Sequence, residues 1–121
     1  MKTDLFARLT LFFAGAIGAA GVIFSAMAAH GGDAQRLGAA AATCLANGPA
    51  LLALYAGFRA IPTAVIASLL LVVGTVLFAG DLLFRTYAGS GLFPMSAPTG
   101  GTIMILGWLA IAAGALFRRQ A

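Results

Sequence analysis

"ASLLLVVGTVLFAGDLLFRTYAG" (residues 67–89) sets an acid and a base at the end of a run otherwise free of charge. Residues 60–80 hold no ionisable side chain, and a helix needs about 20 mostly apolar residues to cross a bilayer. The stretch is therefore the strongest candidate span in the chain, and it raises a question. Asp81 belongs either to a proton or ion path inside the membrane or to the anchoring of a helix end at the water interface. Counting from Pro62, Asp81 lies nineteen residues on, or about 29 Å at 1.5 Å per residue, nearly a full hydrocarbon thickness. That depth assigns it to the interface, where its insertion cost falls well below the roughly 2.5–3.5 kcal/mol of an acid at the helix centre. Arg85, four residues on, shares its helix face and can pair with it. The expectation is an interfacial ion pair of small energetic weight if exposed.

The rest of the chain is equally apolar. Of its 121 residues 62% are hydrophobic and 8% charged, with a mean hydropathy of +1.04; soluble domains carry roughly 25% charged residues. Four spans are expected, at about residues 5–29, 37–58, 61–84 and 98–117, giving an all-α, single-domain transmembrane four-helix bundle. The first resembles a secretory signal, since "MKTDLFAR" is basic and Ala26 to Ala28 form an A-x-A site. Its apolar part exceeds the 7–15 residues of a signal core and Asp4 is foreign to a signal's basic start, so a retained helix is expected. "HGGDAQR" (residues 30–36) is a loop in which Gly31 and Gly32 end the first helix. The second span is Ala-rich, interrupted by Asn47, Gly48 and Pro49, and marginal in its own insertion energy. It belongs inside the bundle. Pro62 suits the first turn of the third helix, and "GSGLFPMSAP" (residues 89–98) reads as a loop.

The isoelectric point of about 10.3 rests on seven Lys and Arg against three Asp, with no basic run longer than Arg118-Arg119. No stripe exists to neutralise several phosphates, which argues against nucleic acid. Lys2, Arg8, Arg59, Arg118 and Arg119 all fall at the termini or in the turn between the second and third spans, leaving Arg36 and Arg85 opposite. The positive-inside rule then sets both termini in the cytoplasm. Cys44 is the sole cysteine, so neither an intrachain disulfide nor a Cys-based zinc site is available. With one His and three Asp, no metal site is expected. No elbow-type G-x-S-x-G occurs to support a nucleophilic serine. Catalytic, cofactor and metal residues are each read as none.

Two sets of residues remain. His30, Asp81 and Arg85 share the outer face, where a His30–Asp81 contact would tie two helix ends together. Asn47 stands near mid-span beside Pro49, which frees a carbonyl one turn earlier, and its amide suits a bond to another helix. Gly100, Gly107 and Gly114 recur every seven residues, with Gly15, Gly18 and Gly21 less regular on the first span. Such stripes let helix backbones approach in lipid; clearing a path for a lipid or quinone tail is the other reading.

"GAAGVIFSAMAAHGG", "LANGPALLALYA", "VLFAGDLLFRTYAG" and "LFPMSAPTGGTIMILGWLAIAAGAL" together resemble the domain of unknown function 423 (transmembrane protein 256-like) family of small membrane proteins. The most specific part is Pro98 to Gly101 followed by Gly107-Trp108; Ala29 to Gly31 come next. Gly80-Asp81 is similar to the proteobacterial branch, where it replaces a Gly-Ser. Many members carry a His in the second span where this chain has Asn47. The resemblance implies a four-helix inner-membrane protein and supplies no activity, substrate or cofactor. The function expected is non-enzymatic: a structural or accessory protein of a bacterial inner membrane, in contact with membrane lipids and a larger membrane complex, such as a respiratory one. The alternative is a small transporter, channel or lipid- or quinone-binding protein with an outward-facing pocket lined by His30, Asn47, Asp81 and Arg85.

Overall fold

The computed structural model describes residues 2–31 and 33–117, with Lys2 and Thr3 as backbone alone. Gly32, read above as a helix stop, and Arg118 and Arg119, counted above for orientation, lie outside the described residues. The described residues form four helices: α1 (Lys2–Ala29), α2 (Ala34–Ala56), α3 (Ala64–Ala88) and α4 (Ser96–Gly114). Each is long and apolar enough to cross a membrane. The chain is thus an all-α bundle with the build of a multi-pass membrane protein.

The helix ends depart from the expected spans for identifiable reasons. α2 starts three residues early because Asp33 caps it, its Oδ1 accepting from the backbone N–H groups of Gln35 and Arg36 at 3.1 Å each. Pro62 is not in the first turn of α3; it lies in the turn before Thr63, and the helix proper begins at Ala64. At the other end α3 continues to Ala88, where Gly89 takes a left-handed φ of +82° and its N–H bonds back to Arg85. α4 starts at Ser96, two residues before Pro98, whose missing N–H falls in the first turn where none is needed.

Successive helices run antiparallel. Gly48 lies against Gly18 while Gly21 meets Leu45, Asn47 is level with Thr75, and Gly74 lies against Gly100 while Leu71 meets Gly107. Both described chain ends therefore share one end of the bundle with the 57–63 turn, and the 30–33 and 89–95 connections share the other. α2 packs mainly on α1 and α4 on α3, with α2 and α3 joined across the middle and α1 meeting α3 only slightly. The weakly apolar α2 is the most buried of the four, as its many small residues imply. Leu37, Leu51, Leu54 and Leu71 are fully enclosed, with Cys44 and several alanines around them. Phe12, Val22, Ile66, Val76, Ile105 and Leu109 face outward, a surface suited to lipid.

Glycine contacts show how close the backbones come. A β-carbon at Gly48 would stand 2.9 Å from the Gly18 nitrogen, and one at Gly74 2.7 Å from the Gly100 carbonyl. Gly107 fits over Leu71, and Gly114 over Thr63, whose hydroxyl donates to the Ala110 carbonyl at 2.5 Å. The α4 stripe is thus a packing surface along its full length. On α1 the stripe is only partly used, because a β-carbon at Gly15 would meet nothing.

Candidate functional site

Asp81 is fully buried, so the small energetic weight expected of an exposed pair does not apply to it. The ion pair itself forms: Arg85 Nε donates to Asp81 Oδ2 at 2.8 Å, with the arginine 37% exposed and the aspartate 0%. The other oxygen, Oδ1, accepts from the Leu92 backbone N–H at 2.9 Å and from the Ser96 hydroxyl. Asp81 therefore holds the whole α3–α4 connection over itself and places a negative charge at the start of α4, where the helix dipole favours it. Gly91 lets that connection close, since a β-carbon there would stand less than 3.0 Å from Asp81 Oδ1 and from the Arg85 guanidinium. Arg36, at the start of α2, extends the tie through its Nη1 to the Arg85 carbonyl at 3.5 Å.

His30 does not join this cluster. It stands exposed in the turn after α1, where its backbone N–H closes the last turn onto Ala26 and Met27. The bonds that satisfy Asp81 come from α3, from the following loop and from the first residue of α4. The proposed His30–Asp81 bridge is therefore not formed; a carboxylate roofed by its own loop offers no open oxygen to a neighbouring helix end.

Asn47 forms the second cluster. It is only 3% exposed, and its Nδ2 donates to Thr75 Oγ1 at 2.9 Å and to the Met104 sulfur at 3.0 Å. Its Oδ1 accepts from Trp108 Nε1 at 3.1 Å. One amide thus links α2 to α3 and α4, as the interhelical role expected of it requires. Thr75 precedes Asp81 by six residues, so the two clusters stand about 9 Å apart along α3. Between them α3 and α4 pass at backbone contact through Gly74, Phe78 and Gly100. The four residues proposed to line one outward-facing pocket thus divide into an exposed histidine, a roofed ion pair and a separate mid-span amide.

Thr75, Met104, Trp108, Leu92 and Ser96 escaped the sequence reading as partners. For Thr75 a signal existed: a hairpin turning over residues 57–63 brings Asn47 level with the stretch near residue 73, and Thr75 is the sole polar side chain in residues 69–80. Among the described residues no three His, Cys, Asp or Glu side chains gather to offer a metal-ligand set. Replacing Asn47 with Leu leaves the Trp108 N–H without its acceptor and Thr75 without its donor. We expect unfolding in detergent to show a loss of about 1–3 kcal/mol, with Trp108 fluorescence shifting because its indole loses a fixed partner.

No protein-family model matches the chain, and no solved structure matches it.

Proposed function

We propose that this small multi-pass membrane protein is a non-enzymatic structural or accessory component of a bacterial inner membrane, seated beside a larger membrane complex. The observation that supports this is where its buried polar chemistry goes. Asn47 and Asp81 direct their hydrogen bonds to neighbouring helices and to the α3–α4 connection, which suits a rigid scaffold. Membership of the domain of unknown function 423 family is part of the same proposal. The motifs behind that resemblance fall on packing positions: Gly48 against α1, Gly100 and Gly107 against α3, and Trp108 on Asn47.

Orientation is proposed on the charge count, with both termini cytoplasmic. The outer sides of α1 and α4, which do not meet each other, supply apolar surface for a partner. Extraction in gentle detergent, affinity capture through a terminal tag and mass spectrometry test the accessory role. A larger membrane protein recovered in fixed ratio is the expected result. Recovery of the chain alone, under conditions that keep known inner-membrane complexes intact, overturns it.

A further inference from the structure

The side of the bundle bearing the described chain ends contains a feature that neither polar cluster explains. α1 and α3 run parallel there without closing, leaving a half-open cleft of about 410 Å³, open side included, lined by Phe6, Thr10, Phe13, Ser68, Leu69 and Val72 among others. Its walls are almost wholly apolar. Two buried hydroxyl-bearing residues, Thr10 and Ser68, belong to its walls. Thr10 Oγ1 donates back to the Phe6 carbonyl at 2.8 Å. Ser68, only 5% exposed, has no hydrogen-bond partner for its Oγ, the single such buried side-chain atom among the described residues. A serine within a helix ordinarily bonds the carbonyl four residues back, and an unmade buried hydrogen bond is costly.

Depth identifies what an occupant would bring. α3 has 25 residues, about 38 Å of helix, and Ser68 lies about 6 Å from its start. With a hydrocarbon core of about 30 Å, the hydroxyl falls near the boundary between acyl chains and headgroups, where phospholipid ester carbonyls lie. Those carbonyls are acceptors only, matching an unused O–H donor. Lys2 and Arg8 belong to the first turns of α1 at this end of the bundle, against Asp4, so the rim favours an anionic headgroup. We propose that the α1/α3 cleft binds one anionic phospholipid, its acyl chain lying between Phe6, Phe13 and Val72 and an ester carbonyl accepting the Ser68 hydroxyl.

Native mass spectrometry of the full chain, titrated separately with dioleoyl phosphatidylglycerol and dioleoyl phosphatidylcholine, tests the site. The wild-type protein is expected to retain one phosphatidylglycerol in preference to phosphatidylcholine. Ser68→Ala should weaken retention about fivefold, the effect of one neutral hydrogen bond. Leu69→Trp, at a half-exposed wall position, should fill the cleft and abolish retention while the melting temperature stays near wild type. Arg8→Gln should narrow the preference for phosphatidylglycerol. Equal binding of the two lipids, or Ser68→Ala and Leu69→Trp both holding lipid like wild type, overturns the proposal. So does a wild-type dimer without lipid that Leu69→Trp dissociates, since a second copy then fills the cleft. None of these outcomes depends on whether a larger protein partner is captured.

Discussion

Asp81→Ala is expected to destabilise the bundle by about 2–4 kcal/mol, read as a lowered midpoint in detergent unfolding. The substitution leaves the Arg85 guanidinium without its carboxylate, and the Leu92 N–H and Ser96 hydroxyl without their acceptor. Removing one partner of a buried pair typically costs 3–5 kcal/mol, because the other charge stays behind unpaired. Arg85 is 37% exposed and regains some hydration, which lowers the figure. The asymmetry gives the sharper check. Arg85→Gln should cost less than Asp81→Ala, since the carboxylate keeps the Leu92 and Ser96 bonds and can accept from the glutamine amide, whereas alanine at 81 leaves three donors unmet. In a double-mutant cycle Asp81→Ala and Arg85→Ala should couple by more than about 0.5 kcal/mol. Additive losses would show that the carboxylate serves the loop alone and that the ion pair contributes nothing.

That result bears on how far a sequence of this kind can be read. Hydropathy located four spans because no other arrangement satisfies so much apolar chain and its backbone polar groups in lipid. The α4 glycine period was likewise legible, because a seven-residue repeat returns to one helix face. For Asp81, the pairing with Arg85 followed from the four-residue spacing. Its burial was not legible, because it depends on the 89–95 connection folding back over α3. Nothing local signals that return, and Gly91, which makes room for it, is indistinguishable in sequence from an ordinary loop glycine. The His30–Asp81 contact that a shared face left open is absent for the same reason: sharing one end of the bundle does not bring two side chains together when a loop occupies the space above one of them. Asn47 succeeded because a lone amide in the apolar interior has few ways to be satisfied, and each of them crosses to another helix or binds a ligand.

The second large effect is expected at Gly100, and a neighbouring glycine supplies its control. A β-carbon at Gly100 would stand 2.7 Å from the Phe78 nitrogen and 2.8 Å from the Gly74 carbonyl, both backbone atoms that cannot turn aside as a side chain can. Gly100→Ala must therefore push α3 and α4 apart. Ser96, Gly100 and Met104 are spaced one turn from each other on the same face of α4, so a wedge at the middle position lifts both neighbours. Ser96 then draws away from Asp81, and Met104 from Asn47 and Thr75. Overpacking alone typically costs 1–3 kcal/mol; with both ties strained, a loss of about 3–5 kcal/mol is expected in detergent unfolding, with Trp108 emission altered. Gly101→Ala adds the same methyl group one residue along, where a β-carbon meets nothing within 4 Å. There alanine's better helix propensity should leave stability unchanged or raise it by about 0.5–1 kcal/mol. Equal losses at the two positions would mean that α4 tolerates no added side chain for reasons of insertion, and that close approach to α3 is not what Gly100 provides. A loss confined to Gly100 identifies the α3–α4 backbone contact as the seam that holds the roofed carboxylate and the mid-span amide in register.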